Sequence, residues 1–196
     1  MCEKKILSFE KKRSYLENAT IKEKEGKGVM AKTCCFTGHR DVPKCEIEKI
    51  RNRLRESIKK EIQSGTIFFA CGGAVGFDMI AAEEVLKAKE EYPNIHLILL
   101  LPFPGYTAKW KESDKGKLER ILKQSIYRYV SNEYHKGVYF LRDRKLIEGS
   151  DTCICYLTKK EHSGTGYTVD KAMDKGLWVI NIGNDVLWSG DFFALS

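Results

Sequence analysis

The chain predicts a doubly wound α/β fold: a mostly parallel sheet of five to seven strands, three layers (αβα), one domain. Three observations lead there. Short runs rich in β-branched and aromatic residues alternate with longer runs of helical spacing between residues 33 and 182. The run from Ile95 to Leu101 is almost wholly apolar, as a central parallel strand covered on both faces requires. Glycine-rich or polar turns follow three of the strands, on the side where open α/β sheets bind ligands.

The elements follow in order. Thr33 to Phe36 is the first strand. It runs into Thr37-Gly38-His39-Arg40 and Pro43, then into a helix from Glu46 to Ser64 with Ile47, Ile50, Leu54, Ile58 and Ile62 on one face. Gly65 closes that helix. Thr66 to Cys71 is the second strand, and Met79 to Glu91 the helix after it, stopped by Pro93-Asn94. Ile95 to Leu101 ends at Pro102. Tyr106 to Lys111 is a helical turn with Trp110 facing inward, Lys117 to Gln124 a helix and Ile126 to Ser131 a strand. Gly137 to Glu148 is helical, Thr152 to Leu157 is a strand, and Lys159 to His162 is a polar loop. Thr168 to Lys175 is a helix capped by Gly176, and Trp178 to Ile182 is the last core strand.

Residues 1–32 read as an extension and residues 184–196 as a tail around a domain of residues 33–183. The extension either docks through a short amphipathic helix (Ile6, Leu7, Phe9, Tyr15, Leu16) or stays disordered. Met30, just before the first strand, is a candidate natural start. No run is long enough to span a bilayer and no secretory signal precedes the domain, so a cytoplasmic protein is expected. Seven cysteines include no CxxC pair; they fit buried thiols better than a metal site or disulfide framework.

The net charge of +7 is unevenly placed. Residues 1–32 hold nine Lys/Arg and five Asp/Glu; the rest holds 25 and 22. The domain is therefore close to neutral, which argues against a dedicated nucleic-acid binder.

Three loops make the candidate site: Thr37, Gly38, His39 and Arg40; Gly72, Gly73, Gly76 and Asp78; and Ser163, Gly164, Thr165 and Thr168. Strand, glycine turn and helix is the layout of an anion cradle, because glycines admit close backbone approach and the helix start offers free N–H groups. Each loop alone also serves as an ordinary connection; three of them together point to one anion or nucleotide pocket. Asp78 either caps its helix or bonds a ribose hydroxyl. Arg40 and Arg142 are candidate phosphate clamps, since a guanidinium matches phosphate in a fork. The spacing is neither the dinucleotide fingerprint nor a P-loop. No nucleophile–base constellation and no metal site is legible.

The stretches Cys35-Phe36-Thr37-Gly38-His39-Arg40, Gly72-Gly73-Ala74-Val75-Gly76-Phe77-Asp78 and Ser163-Gly164-Thr165 resemble the YpsA-like proteins of the SLOG superfamily, named for the Smf/DprA and LOG proteins. The resemblance covers about residues 33–183. It implies a Rossmann-like fold, a nucleotide or ADP-ribose-like ligand and a homodimer. The DprA-like relatives imply single-stranded DNA binding. The LOG relatives imply hydrolysis of nucleoside monophosphates at the N-glycosidic bond, with Arg142 at their arginine position. Their supporting glutamate is replaced here by Thr168, which leaves a binding and sensing protein as the first expectation.

Overall fold

The computed structural model describes residues 31–158 and 163–183. The expected docking segment, the candidate start at Met30, the polar loop at residues 159–162 and the tail lie outside the described residues. Contacts divide the chain after Ala31, and the unit beginning at Lys32 is the one considered below.

Six strands form one parallel sheet in the order β4-β3-β2-β1-β5-β6. They are β1 (Lys32–Gly38), β2 (Thr66–Cys71), β3 (His96–Leu101), β4 (Ile126–Tyr129), β5 (Thr152–Tyr156) and β6 (Trp178–Asn181). The helices are α1 (Ile47–Gln63), α2 (Phe77–Glu91), α3 (Glu112–Leu122), α4 (Val138–Glu148) and α5 (Gly164–Asp174). The chain builds outward from β1 to β4, and α4 then carries it back across to β5 on the other side of β1. Right-handed crossovers running in opposite directions place their helices on opposite faces of the sheet. Accordingly α1, α2 and α3 pack side by side, and α4 packs on α5. This is the three-layer α/β fold that the alternation of elements predicts.

Helices cover both faces of the sheet, so successive side chains of the central strands are buried in turn. Cys34 and Phe36, Phe69 and Cys71, and Leu97, Leu99 and Leu101 turn to one face, where Ile50, Leu54 and Ile58 of α1 and much of α2 meet them. Their strand neighbours, including Cys35, Ala70, Ile98, Leu100 and Cys153, are buried on the other face. Cys34, Cys35, Cys71, Cys153 and Cys155 are buried free thiols, as expected, but Cys45 is exposed. Among the described residues no helix is long and apolar enough to cross a membrane.

Three element starts differ from the sequence reading by two residues or more. Helix α5 begins at Gly164, four residues early, because Ser163 caps it: its hydroxyl accepts the Gly166 N–H at 2.9 Å. Two glycines in the first turn had hidden that start. Helix α3 begins at Glu112 rather than Lys117, and its early acids, Glu112 and Asp114, suit the positive end of the helix. Helix α2 begins at Phe77, so Asp78 is inside the first turn and does not cap it; Gly76 holds the cap position.

One polar tie joins a helix to two strands. Glu61, near the end of α1, is buried and accepts the hydroxyls of Thr66 at 2.8 Å and Thr152 at 2.9 Å. Replacing it strands two hydroxyl groups beneath the sheet. Glu61→Ala is expected to lower unfolding stability by about 1–3 kcal/mol, measured by urea denaturation. Substitution of exposed Glu56, on the same helix, is expected to change stability by less than about 0.5 kcal/mol.

Candidate functional site

The site grows from the strand order. β2, β1 and β5 are neighbours, so the turns that follow them lie side by side at the carboxyl edge of the sheet. Main-chain bonds join these turns. The Phe77 N–H donates to His39 O at 3.2 Å, and the His39 N–H donates to Tyr156 O at 3.2 Å. The His39 ring accepts the Thr158 N–H on Nε2 at 3.2 Å and stands edge-on to Tyr156. His39 thus works within the protein frame, tying the end of β1 to the end of β5.

Several glycines of the loops are required by protein atoms. A Cβ on Gly38 would collide with the Phe77 ring. Gly73 has φ +63°, and a Cβ there would sit 2.6 Å from Leu101 Cδ2. At Gly76, with φ +84°, a Cβ would strike the main-chain carbonyl of Arg40. At Gly72 a Cβ would occupy the place of the Arg142 guanidinium. The glycines therefore let the first loop close on the second and let an arginine pack against the second.

That arginine comes from α4, which the return crossover lays over the edge of the sheet. Arg142 is buried, with Nη1 3.7 Å from Asp78 Oδ2. Its Nε is 2.8 Å from Asp143 Oδ1 but is not aligned for a hydrogen bond, so a buried donor is left unsatisfied. Asp78 also accepts the Ala74 N–H on Oδ2 at 3.2 Å. Burial pushes the Asp78 carboxyl up to about 6, against the pull of Arg142. Asp143 is also raised by burial, partly offset by Arg142 and Arg40.

Arg142 lines a small cleft that is open to solvent. Arg40, Gly72, Ala74, Pro102, Tyr106, Trp110 and Tyr139 line the rest. Tyr106 donates its hydroxyl to Gly73 O at 2.9 Å, and its ring meets Trp110 edge to face. Arg40 lies over the Tyr139 ring, 6.0 Å from its centroid. Cationic and aromatic surfaces thus face one space, with main chain from the glycine loop between them.

The structure gathers the predicted residues unequally. Arg40, Gly72 and Arg142 line the cleft; Asp78 and Gly73 support it from behind. Thr37 is buried at the end of β1. Ser163 caps α5, Gly164 and Thr165 begin its first turn and Thr168 follows one turn on, all outside the cleft lining. Thr168 donates its hydroxyl to Gly164 O at 2.8 Å and faces the Asp143 carboxylate. Tyr106, Trp110, Tyr139 and Asp143 were missed. Asp143 could have been found from its place beside Arg142 on one helical turn; the aromatics carry no local signal. Among the described residues no cluster of His, Cys, Asp or Glu is placed to hold a metal ion.

Comparison with known proteins agrees with this architecture. The YpsA family model, described as the YspA SLOG family, matches residues 35–177. The chain belongs to the YpsA family of SLOG proteins. UPF0398 proteins of Bacillus thuringiensis (strain Al Hakam) and Bacillus cereus (strain AH187) are each 28% identical to it over 137 residues, covering 66% of this chain and 72% of theirs. DNA processing protein A from Helicobacter pylori, solved for its single-stranded DNA binding mode, aligns with a TM-score of 0.58 at 19% identity. That match covers 76% of this chain and 64% of the other. The X-ray structure of the structural-genomics target TM1055 aligns with a TM-score of 0.50 at 16% identity, covering 76% and 72%. At these identities the two structures speak for the shared fold.

Within this YpsA-family frame, the loop glycines divide into constrained and open positions. Gly76→Ala is expected to cost about 2–3 kcal/mol, from a positive φ and the clash with Arg40 O. Gly164→Ala, at a first-turn position with nothing within 4 Å of a Cβ, is expected to be neutral or slightly stabilising. Paired thermal melts of the two variants check this contrast.

Proposed function

We propose that this protein binds and senses a nucleotide or nucleotide derivative of the ADP-ribose type, and that the Arg40–Arg142 cleft is its site. One observation carries the reading. Two guanidinium groups and the main chain of the glycine loop share a cleft with three aromatic rings. Guanidinium groups pair with phosphate in a charge-assisted, forked geometry. Tyr106, Trp110 and Tyr139 offer faces and edges to a planar base. Membership of the YpsA family supports the same reading. Cytoplasmic action as a homodimer belongs to it as an expectation.

A calorimetric screen of nucleoside mono- and diphosphates and ADP-ribose tests the reading. Binding is expected for at least one, and Arg142→Ala is expected to weaken it roughly 10- to 100-fold. Arg40→Ala, at the exposed mouth, is expected to have a smaller effect. No binding across the panel would overturn the proposal. A salt-dependent gel shift with single-stranded DNA, in place of nucleotide binding, would redirect it toward the activity described for the Helicobacter protein.

One observation favours a second reading, N-glycosidic hydrolysis of a nucleoside monophosphate. Thr168 stands where the LOG enzymes carry their glutamate, and Asp143 lies against it. A carboxylate is thus present near that position from a different helix. Release of free base from AMP, abolished in Asp143→Asn, would establish this reading.

A further inference from the structure

The charge around Arg142 balances before any ligand arrives. Arg142 and Arg40 face Asp78 and Asp143, so two cations meet two carboxylates. A cluster with no net charge exerts little long-range pull on a phosphate. Yet the guanidinium lines the cleft, and its Nη1 stands 3.7 Å from Asp78 Oδ2, beyond hydrogen-bond length. It has donor capacity to give, at the cost of its hold on the carboxylates.

We infer that Asp78 and Asp143 restrain Arg142 in an internal ion cluster, and that an incoming phosphate takes over the guanidinium while one carboxylate takes up a proton from solvent. This inference rests on the nucleotide reading of the cleft. Its physical basis is the cost of leaving a buried carboxylate charged without its counter-ion, which protonation removes. No bond to the ligand forms or breaks; one O–H bond forms on a carboxylate, and the proton comes from water or buffer.

The surroundings identify Asp78 as the main proton acceptor. It is 6% exposed, and the groups near it are Arg142 and Asp143 from α4, the thiols of Cys71 on β2 and Cys35 on β1, and the Tyr106 hydroxyl. Arg142 is the one cation among them. Asp143 is faced by Arg142, by Arg40 from the segment after β1 and by the Thr168 hydroxyl from α5. When phosphate engages Arg142, Asp143 keeps Arg40 as a second cation nearby, whereas Asp78 keeps main-chain N–H groups alone.

The sign of the pH dependence follows. In the free protein the Asp78 carboxyl already titrates at about 6. Bound phosphate raises it further, so between the free and bound values each binding event takes up close to one proton, and affinity falls as pH rises. Below the free value the carboxyl is protonated beforehand and the dependence flattens.

The test uses the full chain and two probes whose anionic groups do not titrate near neutrality: ADP-ribose and inorganic sulfate. ADP-ribose binding is measured by calorimetry at pH 7.5 in two buffers of different ionisation enthalpy, and then across pH 5.5–8.5. Sulfate binding is followed by NMR titration over the same range. The expected result is uptake approaching one proton per ADP-ribose, and affinity that falls by up to about tenfold per pH unit above 7. Asp78→Asn is expected to flatten the profile. Asp143→Asn, which also serves if Asp78→Asn fails to fold, is expected to bind sulfate several-fold more tightly at pH 8 while keeping the slope. Binding with buffer-independent heats and a flat profile would overturn this inference and leave the nucleotide reading standing. Failure of both probes to bind at any pH would overturn the inference and count against that reading too.

Discussion

The seat of Arg142 is the constraint on which the site depends. Its guanidinium lies against Gly72, where any side chain would displace it, and reaches toward Asp78 at the start of α2. It can do so because the chain, after building four strands outward, returns over the sheet through α4 and restarts on the far side of β1. The switch in strand order opens a crevice there, and the crossover helix delivers a cation into it. An element from one side of the topology thereby completes a loop from the other.

This arrangement changes what the glycines mean. In a phosphate cradle, glycines spare room for the ligand. Here Gly38, Gly72, Gly73 and Gly76 spare room for Phe77, Arg142, Leu101 and the Arg40 carbonyl. The loops are close-packed against each other, and the space left for a ligand lies above them, between Arg142 and the aromatic side chains. The glycine loop positions the groups that face this cleft, and Gly72 and Ala74 also line part of it.

The first two loops picked out by composition adjoin, because β2 and β1 are neighbours in the sheet and the Phe77 N–H bonds to His39 O. Which of the three loops meet the cleft was not readable. Ser163 to Thr168 looks like a polar loop because two glycines fall where a helix is not expected, yet a single serine cap is enough to start α5 there. Asp78 looks like a cap because of its residue type and place, but the helix begins one residue before it and its carboxylate turns back to Ala74 and across to Arg142. Tyr106, Trp110 and Tyr139 sit in segments far apart in the chain, each with an ordinary local pattern. Their common function as a wall appears once β3 and α4 are placed.

The sequence by itself determined the alternation of strands and helices, the burial of the central strand on both faces and the glycine turns at the sheet's edge. Those features arise from local propensity and periodicity, which neighbouring residues express without reference to distant ones. Tertiary structure alone decided that Arg142 would rest on Gly72 near Asp78 and Asp143, and that aromatic rings would line the same cleft. Those relations join groups separated by up to about seventy residues. They are set by strand order and crossover direction, which no local pattern encodes.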